Sequence, residues 1–276
     1  MSAFSPSERY LQNFHGRVAG ATSSAFGGFP AWMASREYRS SYDVLASLAL
    51  EMPSVKTVLD VACGDGHLLG LLLNKNKNVR LIGVDMSEGE LNLARKALPP
   101  EVVLLNERAQ AMSVDTGAVD VALSHMALML MDDIGQVMQE IRRVLRPGGT
   151  FGAIIGRTFL LGEVNQIFLN AFKPIAKEDL SPLPFGDSRT RSMDGWTELL
   201  RESFDDIRFE DIDVPWSPTP DELWQSLGET YDVDRLSEPA RNRLRDHFMP
   251  ALSPLQDSDG TIRTGWGLRL VHARAR

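Results

Sequence analysis

The chain has 276 residues, 43% hydrophobic and 24% charged, with 29 lysines and arginines against 37 aspartates and glutamates, a net charge of −8. That acidity argues against a nucleic-acid footprint, which needs a surplus of cations, and no apolar run has the length of a membrane span. The single cysteine, Cys63, rules out an internal disulfide and fits a reducing compartment; without a basic, apolar leader at Met1-Ser2-Ala3-Phe4-Ser5-Pro6, the expected location is the cytoplasm.

Residues 1–52 are expected to form a helical cap ahead of a sheet. Residues 7–14 read as a short helix capped by Ser5 or Ser7. Residues 16–30, rich in glycine, alanine and serine, read as a flexible loop. Residues 40–50 read as a helix with one apolar face, closed by Pro53.

A short aliphatic strand over residues 57–62 then runs into Asp60, Gly64 and Gly66, and a leucine-rich helix follows from Leu68. Glycines at such a turn let backbone approach a ligand where a Cβ would collide, and the helix start behind them presents unpaired N–H groups. Leu69 stands where the dinucleotide fingerprint G-x-G-x-x-G needs its third glycine, and no phosphate-cradling G-x-x-x-x-G-K-[ST] occurs. The acid at the strand end would repel a pyrophosphate and suits an ammonium or sulfonium group. Cys63, inside the loop, reads as a small packing residue.

A second buried strand, residues 80–85, ends in Asp85, where an acid in a doubly wound sheet commonly binds ribose hydroxyls. Ser87 and Glu90 form a capping box for the next helix. Strands follow at 102–106 and 119–124, a helix of clear 3.6-residue period at 133–145 capped by Asp132-Asp133, and a strand at 150–156. Alternating strands and helices indicate a parallel α/β sheet. Further on, a helix at 195–203, a strand at 207–214, helices at 221–228 and 238–249 and a final strand at 262–273 are expected. No metal-ligating spacing occurs.

At this point the residues resemble the Rossmann-like, class I S-adenosylmethionine-dependent methyltransferases of the small-molecule type. Val58 to Gly66 is similar to the family motif V-L-D-x-G-x-G-x-G, with Ala62 replacing the first glycine. Asp85 matches the ribose acid, 119–125 the fourth strand, and Val144-Leu145-Arg146-Pro147-Gly148-Gly149-Thr150 the turn before the fifth. The resemblance is strong over residues 55–156 and weak elsewhere.

It implies a seven-stranded, mostly parallel sheet whose last strand is antiparallel and inserted beside the sixth. The methyltransferase domain would be residues 53–276, with lid-like insertions at about 157–195 and 215–258. It implies S-adenosyl-L-methionine as cofactor, S-adenosyl-L-homocysteine as product, and a small organic acceptor, aromatic or carbonyl-containing, methylated at O, N or activated C in specialised metabolism. A monomer or homodimer is expected, without nucleic acid or membrane. A quinone, tRNA or protein methyltransferase, or a non-methylating cofactor-binding protein on the same fold, are the alternatives.

By resemblance, Asp60 orders the glycine loop and reaches the methionine amino group through water, while Ala62, Gly64 and Gly66 shape the turn. Asp85 holds the ribose, Met86 packs on adenine, Arg108 and Ala109 lie at the adenine edge, and the Ser124 carbonyl receives the amino group. For a general base, His125 is the first choice, because an ordinary histidine titrates near working pH, and His247 the second. His15, Trp32, Met126 and Tyr231 are candidates for acceptor binding. Met129, Met131, Phe159, Phe168 and Trp224 are candidates for an apolar wall, and Tyr42 is a candidate hydrogen-bond partner.

Overall fold

The computed structural model describes residues 4–50 and 55–276; Pro53, the expected helix stop, and the expected 52/53 domain boundary lie outside the described residues. The chain divides into two compact units, one of residues 1–157, 184–212 and 268–276, the other of residues 158–183 and 213–267.

The first unit opens with α1 (Pro6–Arg17), which Ser5 starts with a full capping box to Glu8. A second helix, α2 (Ala21–Phe26), replaces the expected loop. Local propensity hides it, since it begins at Gly20 in a left-handed conformation whose amide is satisfied from far away in sequence, by Glu90. An unforeseen hairpin follows, β1 (Ala31–Met33) and β2 (Arg36–Tyr38). Its turn residues Ala34 and Ser35 both have positive φ without the Asn-Gly or Asp-Gly signature of such turns. Helix α3 (Ser41–Leu50) leads to the sheet.

Strands β3 (Thr57–Val61), β4 (Arg80–Asp85) and β5 (Val103–Asn106) alternate with α4 (His67–Lys75) and α5 (Glu88–Ala97). The chain then crosses to the other side of β3 for β6 (Val119–His125), α6 (Ile134–Val144) and β7 (Leu145–Thr158). The pairs β3–β4, β4–β5, β3–β6 and β6–β7 are all parallel. The turn at Pro147-Gly148-Gly149 is absorbed by a register irregularity, since Val119 faces Leu145 while Val121 already faces Thr150. All five residues of β3 are buried, as a strand covered on both faces demands.

Helix α8 (Met193–Leu200) and the strands β8 (Phe204–Trp216) and β9 (Thr264–Ala275) complete the sheet. It has nine strands rather than seven, in the order β2-β1-β8-β9-β7-β6-β3-β4-β5, with the hairpin supplying the extra two. The last strand lies between β7 and β8. One face of the sheet buries Val137, Ile141 and Val144 of α6 and Trp196 and Leu200 of α8 against Leu59, Val84, Val119 and Phe151. Each such side chain contributes about 1.5–3 kcal/mol by leaving water. The switch in chain direction puts the carboxyl ends of β3 and β6 side by side, the usual ligand crevice of open α/β sheets.

The second unit holds α7 (Glu163–Asp179), α9 (Pro220–Gly228), α10 (Tyr231–Asp234) and α11 (Glu238–Ala251). Phe168 is fully buried there, stacked on Phe172 and edge-on to Phe248. Phe159 packs on Phe168 and Trp266, and Trp224 on Phe248. Phe159, Phe168 and Trp224, expected in an acceptor wall, thus belong to one group of aromatic rings in this unit, with Phe159 and Trp224 half-buried.

Candidate active site

The turn after β3 is built from three alternate positions with positive φ: Ala62 at 59°, Gly64 at 53° and Gly66 at 80°. Two of them need glycine for different reasons. A Cβ on Gly66 would come within 2.6 Å of Leu98 Cδ1, so glycine there lets α5 close on the loop. A Cβ on Gly64 would meet nothing closer than the Glu90 carboxylate at 3.8 Å, so its freedom serves conformation and open approach to the backbone. Ala62 holds the same left-handed geometry without glycine's latitude, at a cost of about 1 kcal/mol.

Asp85 braces the turn. Its carboxylate accepts the Gly64 amide at 2.9 Å and the Ser87 amide at 2.8 Å. Burial pushes its pKa up, and the two amide hydrogen bonds and nearby His15 oppose that rise. The capping box at Ser87 is therefore only half formed: Ser87 Oγ accepts the Glu90 amide at 3.4 Å, but the Glu90 carboxylate points elsewhere. Asp60 is 2% exposed. Burial, then Asp85 and Asp65, hold its pKa well above the ordinary carboxylate range. The site is thus a set of crowded acids that a cation would relieve.

Cys63 sits beneath the loop, and its thiol is pushed up by burial and by Asp60 and Asp85. A Cβ on Gly83 would fall 2.7 Å from its sulfur, so Gly83 makes room for it. The packing role expected for Cys63 agrees with this, and its protonation leaves it inert as a nucleophile.

The N-terminal helices lie on this site through residues that spacing alone could not reveal. Glu90 accepts from the Gly20 amide at 3.0 Å and pairs with His15 Nδ1 at 2.7 Å. Ser23 donates to Asp65, and Gln12 donates to the Met86 carbonyl at 3.1 Å. Glu8 holds the Arg108 guanidinium, and Asp132 accepts from Ser5 and Ser7. His15 is therefore not free to bind an acceptor: Glu90 holds it against α5. Arg108 is likewise occupied by Glu8 and by the Phe4 ring, 5.6 Å from its Cζ. The cap expected at Asp132-Asp133 is also different. Asp133 occupies the N-cap position of α6 in a left-handed conformation without a side-chain bond, and Asp132 serves α1 instead.

At the end of β6, Ser124 Oγ donates to the Val61 carbonyl at 2.8 Å, tying β6 to the glycine loop. His125 beside it is 6% exposed. Its ring stacks on Tyr42, with centroids 3.7 Å apart and planes at 16°, and meets Phe26 edge-on at 5.6 Å. Its Nε2 lies 2.8 Å from Ser41 Oγ. Burial, with help from His67, pushes its pKa down to about 3, so it stays neutral at working pH and holds a proton poorly. That corrects the expectation of a histidine poised near neutrality. Tyr42 keeps its own proton, because burial and then Asp65, Asp60 and Glu90 raise its pKa.

Met86 and Met126 are half-buried, Met126 in a left-handed conformation immediately after His125. Ala109 is buried just past β5. The remaining candidates lie elsewhere. Trp32 is 43% exposed on the hairpin at the sheet edge. Tyr231 starts α10 in the second unit. His247 is exposed on α11, where Leu244 and Phe248 take the buried positions and leave it the outer face, bonded to the Arg243 carbonyl of its own helix.

Residues 59–153 match the methyltransferase domain family. Over 127 residues the chain is 32% identical to a trans-aconitate 2-methyltransferase of Azoarcus sp. (strain BH72), covering 46% of this chain and 48% of that protein. Over 116 residues it is 31% identical to a malonyl-[acyl-carrier protein] O-methyltransferase of Methylococcus capsulatus, covering 40% and 42%. The chain thus spans about half the length of these curated relatives. Among solved structures, the YcgJ protein of Bacillus subtilis superposes with a TM-score of 0.57 at 18% identity, over 86% of this chain and 98% of that one. The sheet, the loop and these matches place the chain in the Rossmann-like, class I methyltransferase family. The family's cofactor is S-adenosylmethionine. The residues present fit it: a buried carboxylate crowded by other acids for its cationic groups, an acid at the end of β4 for its ribose, and an open backbone turn between them. Among the described residues no cluster of metal-ligating side chains occurs and no helix is long and apolar enough to cross a membrane.

Proposed function

We propose that this protein transfers a methyl group from S-adenosylmethionine to a small organic acid, at a carboxylate oxygen. The observation that carries the reading is the state of His125. The only histidine at the end of β6 is buried, neutral and already engaged through Nε2, so the site favours an acceptor with no proton to lose. A carboxylate is such an acceptor at neutral pH. The named relatives support the choice, since aconitate and a malonyl group both carry free carboxylates.

When bound, the cofactor supplies an electrophilic methyl on a sulfonium leaving group, open to in-line displacement. The chain's part is alignment and exclusion of water. Asp60 balances the cofactor's positive charge, Asp85 and Gly64 fix the turn, and the Ser124 carbonyl and Ala109 amide position the two ends. The hydrogen bonds from α1 and α2 cover the loop, and we read this segment as a lid that admits and retains the cofactor. The second unit lies outside the matched family domain, which supports an individual acceptor, as in specialised metabolism.

The test is incubation with S-adenosylmethionine and separate panels of carboxylic acids, phenols and amines, including trans-aconitate and malonate. A mass gain of one methyl, lost again on mild ester hydrolysis, is the expected result. Methylation confined to phenols or amines would overturn the acceptor class.

A further inference from the structure

Among the described residues, His125 Nδ1 is one of two buried side-chain nitrogens or oxygens without a hydrogen-bond partner; the other, Arg241 Nε, belongs to the second unit. A buried polar atom left unpaired costs about 1–3 kcal/mol, so its survival on the last residue of β6, the strand that runs parallel beside β3, calls for a function. The chemistry of Nδ1 follows from its neighbours. A neutral imidazole carries one proton, on Nδ1 or on Nε2. Ser41 Oγ lies 2.8 Å from Nε2, and no other hydrogen bond of that hydroxyl occurs among the described residues. If the hydroxyl donates to Nε2, its own proton is satisfied and the ring proton must sit on Nδ1. The opposite arrangement would leave the serine proton without an acceptor and Nδ1 a bare lone pair.

The ring cannot rotate away from this choice. Tyr42 covers one face at 3.7 Å, Phe26 meets it edge-on, and Ser41 pins the far nitrogen. Nδ1 and Nε2 diverge on an imidazole, so a ring anchored through Nε2 presents Nδ1 away from Ser41.

We propose that His125 is a ligand-positioning residue whose Nδ1–H donates a hydrogen bond to a carboxylate oxygen bound at the end of β6. This rests on the methyltransferase reading above and gives the histidine a role opposite to that of a base: it gives a hydrogen bond and takes no proton. The carboxylate can come from the acceptor or from the amino-acid tail of the cofactor, and the two are separable by experiment.

The direct test is nitrogen NMR on the full chain labelled with 15N-histidine, with His125 assigned by comparison with His125→Asn. Free protein should show Nδ1 protonated and Nε2 bare between pH 5 and 8. Addition of S-adenosylhomocysteine alone moves the Nδ1 proton downfield if the cofactor tail is the partner. Further addition of trans-aconitate or malonate moves it if the acceptor is. A proton on Nε2, or a Nδ1 signal that neither addition moves, overturns the proposal. Variants give an independent check. Asn places an amide nitrogen near the Nδ1 position, whereas Gln reaches only toward Nε2. His125→Asn should keep affinity for the ligand that moves the signal within about threefold, and His125→Gln should weaken it about 10–100-fold, the range for a lost hydrogen bond to a charged group. Equal losses in both, with unchanged melting, would also overturn it. If the Nδ1 proton responds to S-adenosylhomocysteine while no carboxylic acid is methylated, the acceptor class fails and the role of His125 stands.

Discussion

The carboxylate of Asp85 accepts the amide of Gly64 across 2.9 Å, joining the end of β4 to the middle of the glycine turn. One acid therefore shapes the turn and stands where the proposed complex would place the ribose. Asp85→Ala should remove both contributions. We expect at least a tenfold loss of S-adenosylhomocysteine affinity by calorimetry and a fall in unfolding free energy of about 1–3 kcal/mol from the stranded Gly64 and Ser87 amides. Unchanged cofactor affinity would show that the ribose assignment is wrong.

Asp60 sets function against stability. Its pKa in the folded protein is raised by burial and by Asp85 and Asp65. The folded state therefore binds more protons than the unfolded state between the ordinary aspartate pKa and the raised value, and stability falls as pH climbs through that window. Asp60→Asn removes the ionisation and should stabilise the free protein above the window, by on the order of 1–2 kcal/mol for each pKa unit or so of shift removed. The same change should abolish cofactor binding. In the wild type, a cationic ligand selects the ionised acid, so binding should release protons and tighten with rising pH across the window. Calorimetry in buffers of different ionisation enthalpy reads this directly; proton uptake would contradict it.

The central part of this architecture was readable because its signals are local. Residues 80–85 alternate with helices of clear period, and β4 has those bounds. Asp60, the two loop glycines and Asp85 fall within one strand–turn–helix–strand stretch, where spacing along the chain is spacing in the fold. The remainder depends on pairs distant in sequence. Glu90 looked like half of a capping box, yet its carboxylate serves Gly20, 70 positions away. Asp132 looked like a helix cap and binds Ser7, 125 positions away. Ordinary histidine chemistry suggested a base at His125, and only the packing of Tyr42, Phe26 and Ser41 reveals a neutral ring. The exposed position of His247 follows from local pattern, since the burial of Leu244 and Phe248 fixes which side of α11 it occupies.

Glu90 is the central pin of the N-terminal segment, held at once by the Gly20 amide and His15. Glu90→Ala would strand both partners. Hydrogen exchange over residues 5–26 should speed up about tenfold or more while β3 and β6 stay protected, and bound S-adenosylhomocysteine should dissociate faster in stopped-flow displacement. Loss of protection throughout the sheet would mean that Glu90 supports the whole fold and not a lid.

His247→Ala provides a control on the other side. The side chain is exposed and bonded only within its own helix. Turnover of any acceptor found should stay within about twofold, and stability within about 0.5 kcal/mol, as for surface substitutions generally. A pH–rate profile lacking an inflection near 6.5 in both proteins would further exclude an ordinary histidine base.

Ala62 is the position where the loop departs from the glycine of the family motif while keeping the left-handed backbone, at φ 59°. Two effects oppose each other in Ala62→Gly. Removing the Cβ relieves about 1 kcal/mol of left-handed strain, and the extra freedom of glycine in the unfolded chain takes back roughly 0.4–1 kcal/mol. The net change in unfolding free energy should therefore lie between about zero and +0.6 kcal/mol, measured by urea titration, with S-adenosylhomocysteine affinity unchanged within about twofold. A destabilisation beyond 1 kcal/mol would mean that the methyl group packs usefully in the turn, and that this loop replaced a glycine by a residue it needs.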